Sequence, residues 1–325
     1  MHTLLESTTY YPKRLAKAVD ELTTSTELAS RGLLAHDVRL ARESGQLIRI
    51  RRGVYVSADA YAPLRPWDRS VVSIHAHALT AAAPPIYCFT SAARIWQLDL
   101  YRVDSAIHVA RPRRRGRDQG TPVTVNHSLR YPDRRLATVN GLRTTDLLQT
   151  AADCARVLPM SAAVVLLDSV LRRGVSRQQL RDLLEKSPKA RGVRRAAFAV
   201  DFADRRSESP AESRLRLLMH EFGLPAPVLQ REYLINGSVY RPDFAWPEFG
   251  LVVEVHGDGK YALDGSVESK VLAERKREAA LMEAGLKPLN LWWKDLDDPR
   301  LKDRLVAHLQ PAIRAAGRTA GLAAS

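Results

Sequence analysis

The sequence predicts a multidomain chain of mixed class, α+β in its first part and α/β in its last, and three observations predict it. The first sixty residues hold two short helical patterns and then a basic hairpin signal. The middle, about 61–206, mixes amphipathic helical runs with short apolar strands. The end, 207–325, reads as helix, three strands, helix, strand, helix, an α-β-β-β-α-β-α order. A chain of 325 residues suits two or three domains. The boundaries expected are 1–60, 61–206 and 207–325, with the polar stretch ADRRSES (203–209) as a linker.

In the first domain, Thr24 to Ser30 reads as a helix broken by Gly32. Leu34 to Ser44 reads as a second, with Leu34, Val38 and Ala41 at spacings of four and three, stopped by Gly45. Leu47, Ile48 and Ile50, then Val54, Tyr55 and Val56, are strand formers around an Arg51-Arg52-Gly53 turn. Helix, turn, helix and basic hairpin together describe a winged helix-turn-helix. In that module the second helix enters the major groove and the hairpin touches phosphates. Arg39 and Arg42 on the second helix, with Arg49, Arg51 and Arg52 on the wing, are therefore the expected DNA-binding residues. The alternative is a small helical domain with a solvated basic face.

Composition points the same way. Fifty Lys and Arg against 36 Asp and Glu leave a formal charge of +14, a balance that favours polyanionic partners. Cys88 and Cys154 lie far apart in apolar surroundings and read as core thiols rather than a disulfide framework or zinc site. That use of cysteine suits a reducing compartment. The first residues lack a signal-peptide apolar region and no stretch suits a membrane span, so the expected location is the cytoplasm. The expected partner is DNA, with no membrane; a homodimer is left open.

The middle region carries no catalytic signal. Thr90–Leu98, Thr144–Val157 and Met160–Arg172 read as helices and Ala106–Ala110 as a strand. Arg113 to Arg117 read as a solvated loop or a backbone-tracking segment. His75, His77, His108 and His127 have no metal-ligand spacing and read as structural or surface residues.

The last domain holds the candidate chemistry. Ser209 is a good N-cap, Pro210 suits the first helical turn, and Glu212 would complete a capping box. Leu229–Ile235 and Ser238–Trp246 read as strands joined by a type I′ turn at Asn236-Gly237. Leu251–Val255 reads as a strand buried on both faces, with Glu254 as its one charge. A buried carboxylate needs a compensating cation or hydrogen bonds. With Asp243 on the neighbouring strand, two acids converge and repel, and a divalent ion resolves the repulsion. Oxygen ligands favour magnesium or manganese. A charged helix over Glu268–Ala284, a strand over Lys287–Trp293 and a helix over Pro299–Ala315 complete the domain.

Residues 209–295 resemble the restriction-endonuclease-like superfamily with the PD-(D/E)XK motif, and are most similar to domains related to very-short-patch repair endonucleases. The resemblance rests on Glu212, on Arg241-Pro242-Asp243-Phe244, on Leu251 to Gly257, and on Glu274, Arg277, Leu281 and Gly285. It implies that Asp243 and Glu254 bind the metal and that Glu212 is an auxiliary acid. His256 stands where the motif usually has Lys, and Lys260 would supply a displaced positive charge. Glu274 and Arg277 would support the site from the following helix. Each has a structural alternative: a capping box for Glu212, a strand-end surface position for His256, and a surface pair with Glu274 for Arg277. Over about 20–160, GQLIRIRRGVYV, TSAARIWQL and NGLRTTDLLQTAADCA resemble AbiEi-type antitoxins and regulators, which join an N-terminal winged helix to a second helical domain and repress transcription. The function expected is a magnesium- or manganese-dependent DNA endonuclease with an N-terminal DNA-binding module. The alternative is an AbiEi-like regulator or antitoxin whose nuclease fold is inactive.

Overall fold

Thr24 fixes where the first predicted helix begins. Its hydroxyl accepts from Glu27 N–H while the Glu27 carboxylate accepts from Thr24 N–H, a closed capping box. In this computed structural model, which describes residues 11–111, 124–128, 135–186, 188–257 and 267–323 (backbone alone at 267–274 and 315–323), that helix is α2. The order around it is α1 (Lys13–Asp20), β1 (Thr23–Thr24), α2 (Ser25–Ser30), α3 (Ala35–Glu43), β2 (Leu47–Arg51) and β3 (Val54–Ser57). The three strands pair antiparallel in the order β1-β3-β2. Gly53, at φ +77, makes the hairpin turn that only glycine enters freely, and its carbonyl receives Ser25 N–H at 2.9 Å. These elements are consistent with a winged helix. α1 escaped the sequence reading: it is short and buries only Leu15 and Ala18.

The same compact unit, residues 1–166 with 175–200, continues through α4 (Ala58–Tyr61) and α5 (Pro66–Thr80). Val71 and Val72 of α5 complete a core with Leu15, Ala18, Val56, Ala60 and Leu64. There follow β4 (Ile86–Tyr87), α6 (Phe89–Ile95), β5 (Ile107–Arg111), β6 (Thr124–Ser128), β7 (Leu136–Val139) and β8 (Leu142–Thr145). They form a five-stranded mixed sheet in the order β6-β5-β4-β8-β7. Then come α7 (Leu147–Val157), α8 (Met160–Arg172), α9 (Arg177–Glu185) and α10 (Val193–Phe202). The helix expected from Thr144 starts later, because Thr144 and Thr145 extend β8 and Asp146 caps α7. Cys88 and Cys154 are buried free thiols, as expected. Arg113–Arg117 lie outside the described residues.

The second unit, residues 167–174 with 201–325, holds α11 (Pro210–Glu221), β9 (Val228–Leu229), β10 (Tyr233–Ile235), β11 (Ser238–Tyr240), β12 (Phe244–Trp246), β13 (Leu251–His256), α12 (Val267–Glu283), β14 (Lys287–Trp292) and α13 (Leu301–Ala323). Its main sheet has the order β14-β13-β12-β9, with β13 and β14 parallel and the other pairs antiparallel. Alternation along β13 divides its side chains. Leu251, Val253 and Val255 meet Leu215 and Met219 of α11 and Leu305 and Leu309 of α13; Val252 meets Leu281 of α12. The strand is buried along its whole length, as the apolar run predicts.

Two expectations are corrected here. The strand read as Ser238–Trp246 is two strands in two sheets: among the described residues β11 pairs with β10 alone, while β12 joins the main sheet. Pro242, which has no N–H for a ladder, sits in the break. The stretch 203–209 is not a free linker. Ser207 is fully buried, and Asp204 N–H donates to Asp168 at 2.7 Å. Among the described residues, no helix is long and apolar enough to cross a membrane.

Candidate nucleic-acid interface and acidic cluster

The exposed face of the first module is basic. α3 starts where Asp37 accepts Leu34 N–H at 2.8 Å and stops at Gly45, φ +75. None of its side chains is fully buried; Val38 and Ala41 are half-buried. Arg39 and Arg42 are both exposed; Arg39 donates to His36 Nδ1 at 2.9 Å and lies 4.0 Å from Glu43. A pair that open is worth little, so the Arg39 guanidinium is readily redirected to a phosphate. A bulge between Arg49 and Arg51 bends β2 against β3. Arg49 and Arg52 are exposed, whereas Arg51 is half-buried. Burial, helped by the Arg51 and Arg111 charges, pushes His77 down to about 4. His77 instead hydrogen-bonds the buried Tyr87 hydroxyl at 2.9 Å, a structural role in keeping with its lack of ligand spacing.

The second unit gathers acids at one end of its main sheet. Ser209 accepts Glu212 N–H, as predicted, but the capping box does not close. The Glu212 carboxylate turns to Glu208 N–H at 2.8 Å and to the Gln230 side-chain amide at 2.9 Å. The same amide lies 3.3 Å from Asp243 Oδ1, so Gln230 spans the two acids. Gln230 holds a left-handed backbone, φ +55, and its N–H donates to the Asp243 carbonyl at 3.1 Å. Asp243 Oδ2 accepts Val255 N–H at 2.8 Å. Phe244 pairs with Val253, so one step further along the register Asp243 stands across from Glu254, on the same face of the sheet. Glu254 is 6% exposed and accepts two hydrogen bonds from Arg277, at 2.6 and 2.9 Å. Arg277 also donates to the Arg241 carbonyl at 3.1 Å. Burial works against the Arg277 charge; Glu254 and Asp243 outweigh it and hold the guanidinium above its ordinary value.

His256 is buried against Trp292, ring centres 4.8 Å apart, with Nε2 3.4 Å from Asn290 Oδ1. The surface alternative for His256 does not hold: it is the last residue of β13, paired with Trp292 of β14, but it is buried. Arg277 pairs with Glu254 across the sheet face. Lys260 and the Glu274 side chain lie outside the described residues. Among the described residues no group of three or more His, Cys, Asp or Glu side chains is placed to hold a metal ion. Gln230 was missed by sequence reasoning, since a lone glutamine after an extended run carries no signal of its own.

Burial and the Asp243 charge push Glu212 up to about 7. A carboxyl raised in the folded state contributes stability below its unfolded value and loses it as pH rises through 7. The span corresponds to about 3 kcal/mol. Glu212→Gln keeps an acceptor for both donors and removes the charge. The variant is expected to melt above wild type at pH 8, with the gap closing at pH 5. Parallel melts at both values would refute this if the gap were equal.

Residues 14–58 match the family model described as transcriptional regulator, AbiEi antitoxin. The match coincides with the helix–helix–hairpin module. The uncharacterized proteins MT2308 and Rv2248 of Mycobacterium tuberculosis are each 31% identical to this chain over 281 residues, spanning 83% of it and 95% of the relative. The chain belongs to the family of these two proteins. A crystal structure of the RV2827C protein from the same organism is similar with a TM-score of 0.35 and 17% identity, over 69% of this chain and 89% of that one.

Proposed function

We propose that this protein is a DNA-binding transcriptional regulator of the AbiEi antitoxin kind, acting in the cytoplasm, that grips DNA through residues 14–58. The observation that carries the reading is α3: a helix with no fully buried side chain, presenting Arg39 and Arg42 beside a wing that presents Arg49 and Arg52. In this reading α3 enters the major groove and the wing holds phosphates, with Arg51 as a half-buried support. Domains 1–60, 61–206 and 207–325 then divide the work, the first reading DNA. The test is a gel shift on the protein's own promoter fragment. Arg39→Ala and Arg42→Ala are each expected to weaken binding about tenfold and, where the contact is to phosphate, to flatten the salt dependence by about one unit. Unchanged affinity in both variants, or no binding by wild type, counts against it.

The acidic cluster favours a second reading, a metal-dependent DNA endonuclease related to very-short-patch repair enzymes. Its support is the Glu212–Asp243 repulsion, which a divalent cation would relieve. Asp243 and Glu254 would hold magnesium or manganese, with Glu212 beside them. The fit is incomplete, because Arg277 already supplies a positive charge to Glu254 and Val255 N–H occupies Asp243 Oδ2. Such an ion, when bound, supplies polarisation of a phosphodiester and an activated water. In the same preparation, magnesium-dependent plasmid nicking lost in Asp243→Ala and Glu254→Ala would favour the nuclease. Promoter binding without nicking would leave the regulator alone.

A further inference from the structure

A second basic feature lies away from α3 and the wing. Arg156 and Val157 end α7, and Arg191, Gly192 and Arg195 lie at the start of α10; together they line a cleft of about 560 Å3. That volume falls within the range of about 300–1,000 Å3 typical of small-molecule sites. The cleft is built around a backbone approach. Gly192 sits at φ +83, and a Cβ there would lie 2.0 Å from the Arg156 carbonyl oxygen. Arg195 donates to that same oxygen at 2.8 Å, so the end of α7 and the start of α10 are locked together. Arg156 has one acidic neighbour, Asp153 at 3.5 Å, and its Nε is buried with no hydrogen-bond partner among the described residues. That nitrogen is closed to solvent, so a ligand in the cleft meets the 22% of the Arg156 side chain that stays exposed. Arg191 and Arg195 are exposed, and among the described residues neither has an acidic side chain within salt-bridge distance. The start of α10 adds the partial positive charge of a helix N-terminus.

We propose that this cleft binds a small phosphorylated ligand, its phosphate held by Arg156 and Arg191 at the head of α10. Guanidinium forks match phosphate oxygens in pairs, and three of them suit a ligand with more than one negative charge. A cleft of this size suits a compact ligand better than a duplex backbone, which needs an open track along the surface. Val157, 53% exposed, gives the cleft an apolar wall for the remainder of the ligand.

Inorganic pyrophosphate is the probe, titrated calorimetrically into the full-length protein at low salt. Saturable one-site binding is expected, weakened about tenfold or more by Arg191→Ala and by Arg156→Gln. Arg191→Lys is expected to fall between, keeping the charge but not the fork. Arg191 is exposed, so its variants should melt with wild type, while Arg39→Ala with Arg42→Ala should bind pyrophosphate normally. Absence of saturable binding in wild type overturns the proposal, as does undiminished affinity in both Arg191→Ala and Arg156→Gln. Displacement of pyrophosphate by equimolar duplex DNA that persists in the Arg39→Ala, Arg42→Ala variant also overturns it, since the cleft would then be a DNA-backbone contact.

Discussion

Replacing Arg216 by Ala is expected to destabilise the second unit by about 3–5 kcal/mol. Arg216 lies on α11, and its Nη2 donates to both oxygens of the Asp168 carboxylate, at 2.8 and 2.7 Å. Asp168 is fully buried and the Arg216 side chain is 9% exposed. The other guanidinium nitrogens donate to the Phe202 carbonyl at 2.6 Å and to Ser207 Oγ at 3.2 Å, and the group lies 4.4 Å from the Phe202 ring centre. Removing it strands a carboxylate away from water and opens a cavity beneath residues 202–207. Burial already pushes Asp168 up despite Arg216. Without the arginine, protonation is the remaining way to lose the charge, so the defect should be largest above pH 7 and shrink toward pH 5. Removing both charges together, as Asp168→Leu with Arg216→Met, should recover much of the loss, because the pair is worth less than its rupture. Urea midpoints of wild type and these two variants across that pH range decide it. Equal loss in single and double variants would show that packing, not charge, holds the segment.

Gly192→Ala is expected to lower stability by about 3 kcal/mol. Two effects add. A left-handed backbone is unfavourable for alanine by about 1–2 kcal/mol, and the new methyl meets backbone rather than a yielding side chain, 2.0 Å from the Arg156 oxygen. Neither helix end in the contact moves freely, since Arg195 donates to the Arg156 carbonyl at 2.8 Å. Gly174→Ala makes the control: it shares a left-handed φ, +87, but a Cβ there meets nothing within 4 Å. The difference between the two melting temperatures isolates the clash; no difference would place the whole effect in the backbone angle.

The contrast between these residues and those read from sequence is physical. Local rules reached Thr24 with Glu27, Gly45, Gly53, Ser209 with Pro210, and Asn236-Gly237, because each signal lies within a turn or two of its effect. The buried β13 strand was legible because Leu251 to Val255 has one charge among apolar residues. Pairing between distant segments was not. Arg216 and Asp168 are 48 residues apart, and an arginine in a helix looks like surface until its partner is known. Gln230 joins Glu212 to Asp243 only because a left-handed kink brings its amide between them. The Glu212 capping box was a sound local inference that lost to that longer-range arrangement. Ser238–Trp246 was read as one strand although Pro242 lies inside it, a breaker outweighed by the apolar pattern around it. Arg51 was grouped with the wing arginines by adjacency, yet a bulge at Arg49/Arg51 separates its surroundings from theirs.

That α3 has no fully buried side chain has a consequence for descent as well as for binding. Away from the half-buried Val38 and Ala41, substitutions on such a helix shift folding free energy by about half a kcal/mol or less. Related chains are thus at liberty to diverge along 35–43 while inheriting the same scaffold, so whatever this helix touches is the trait most open to drift and to deliberate grafting.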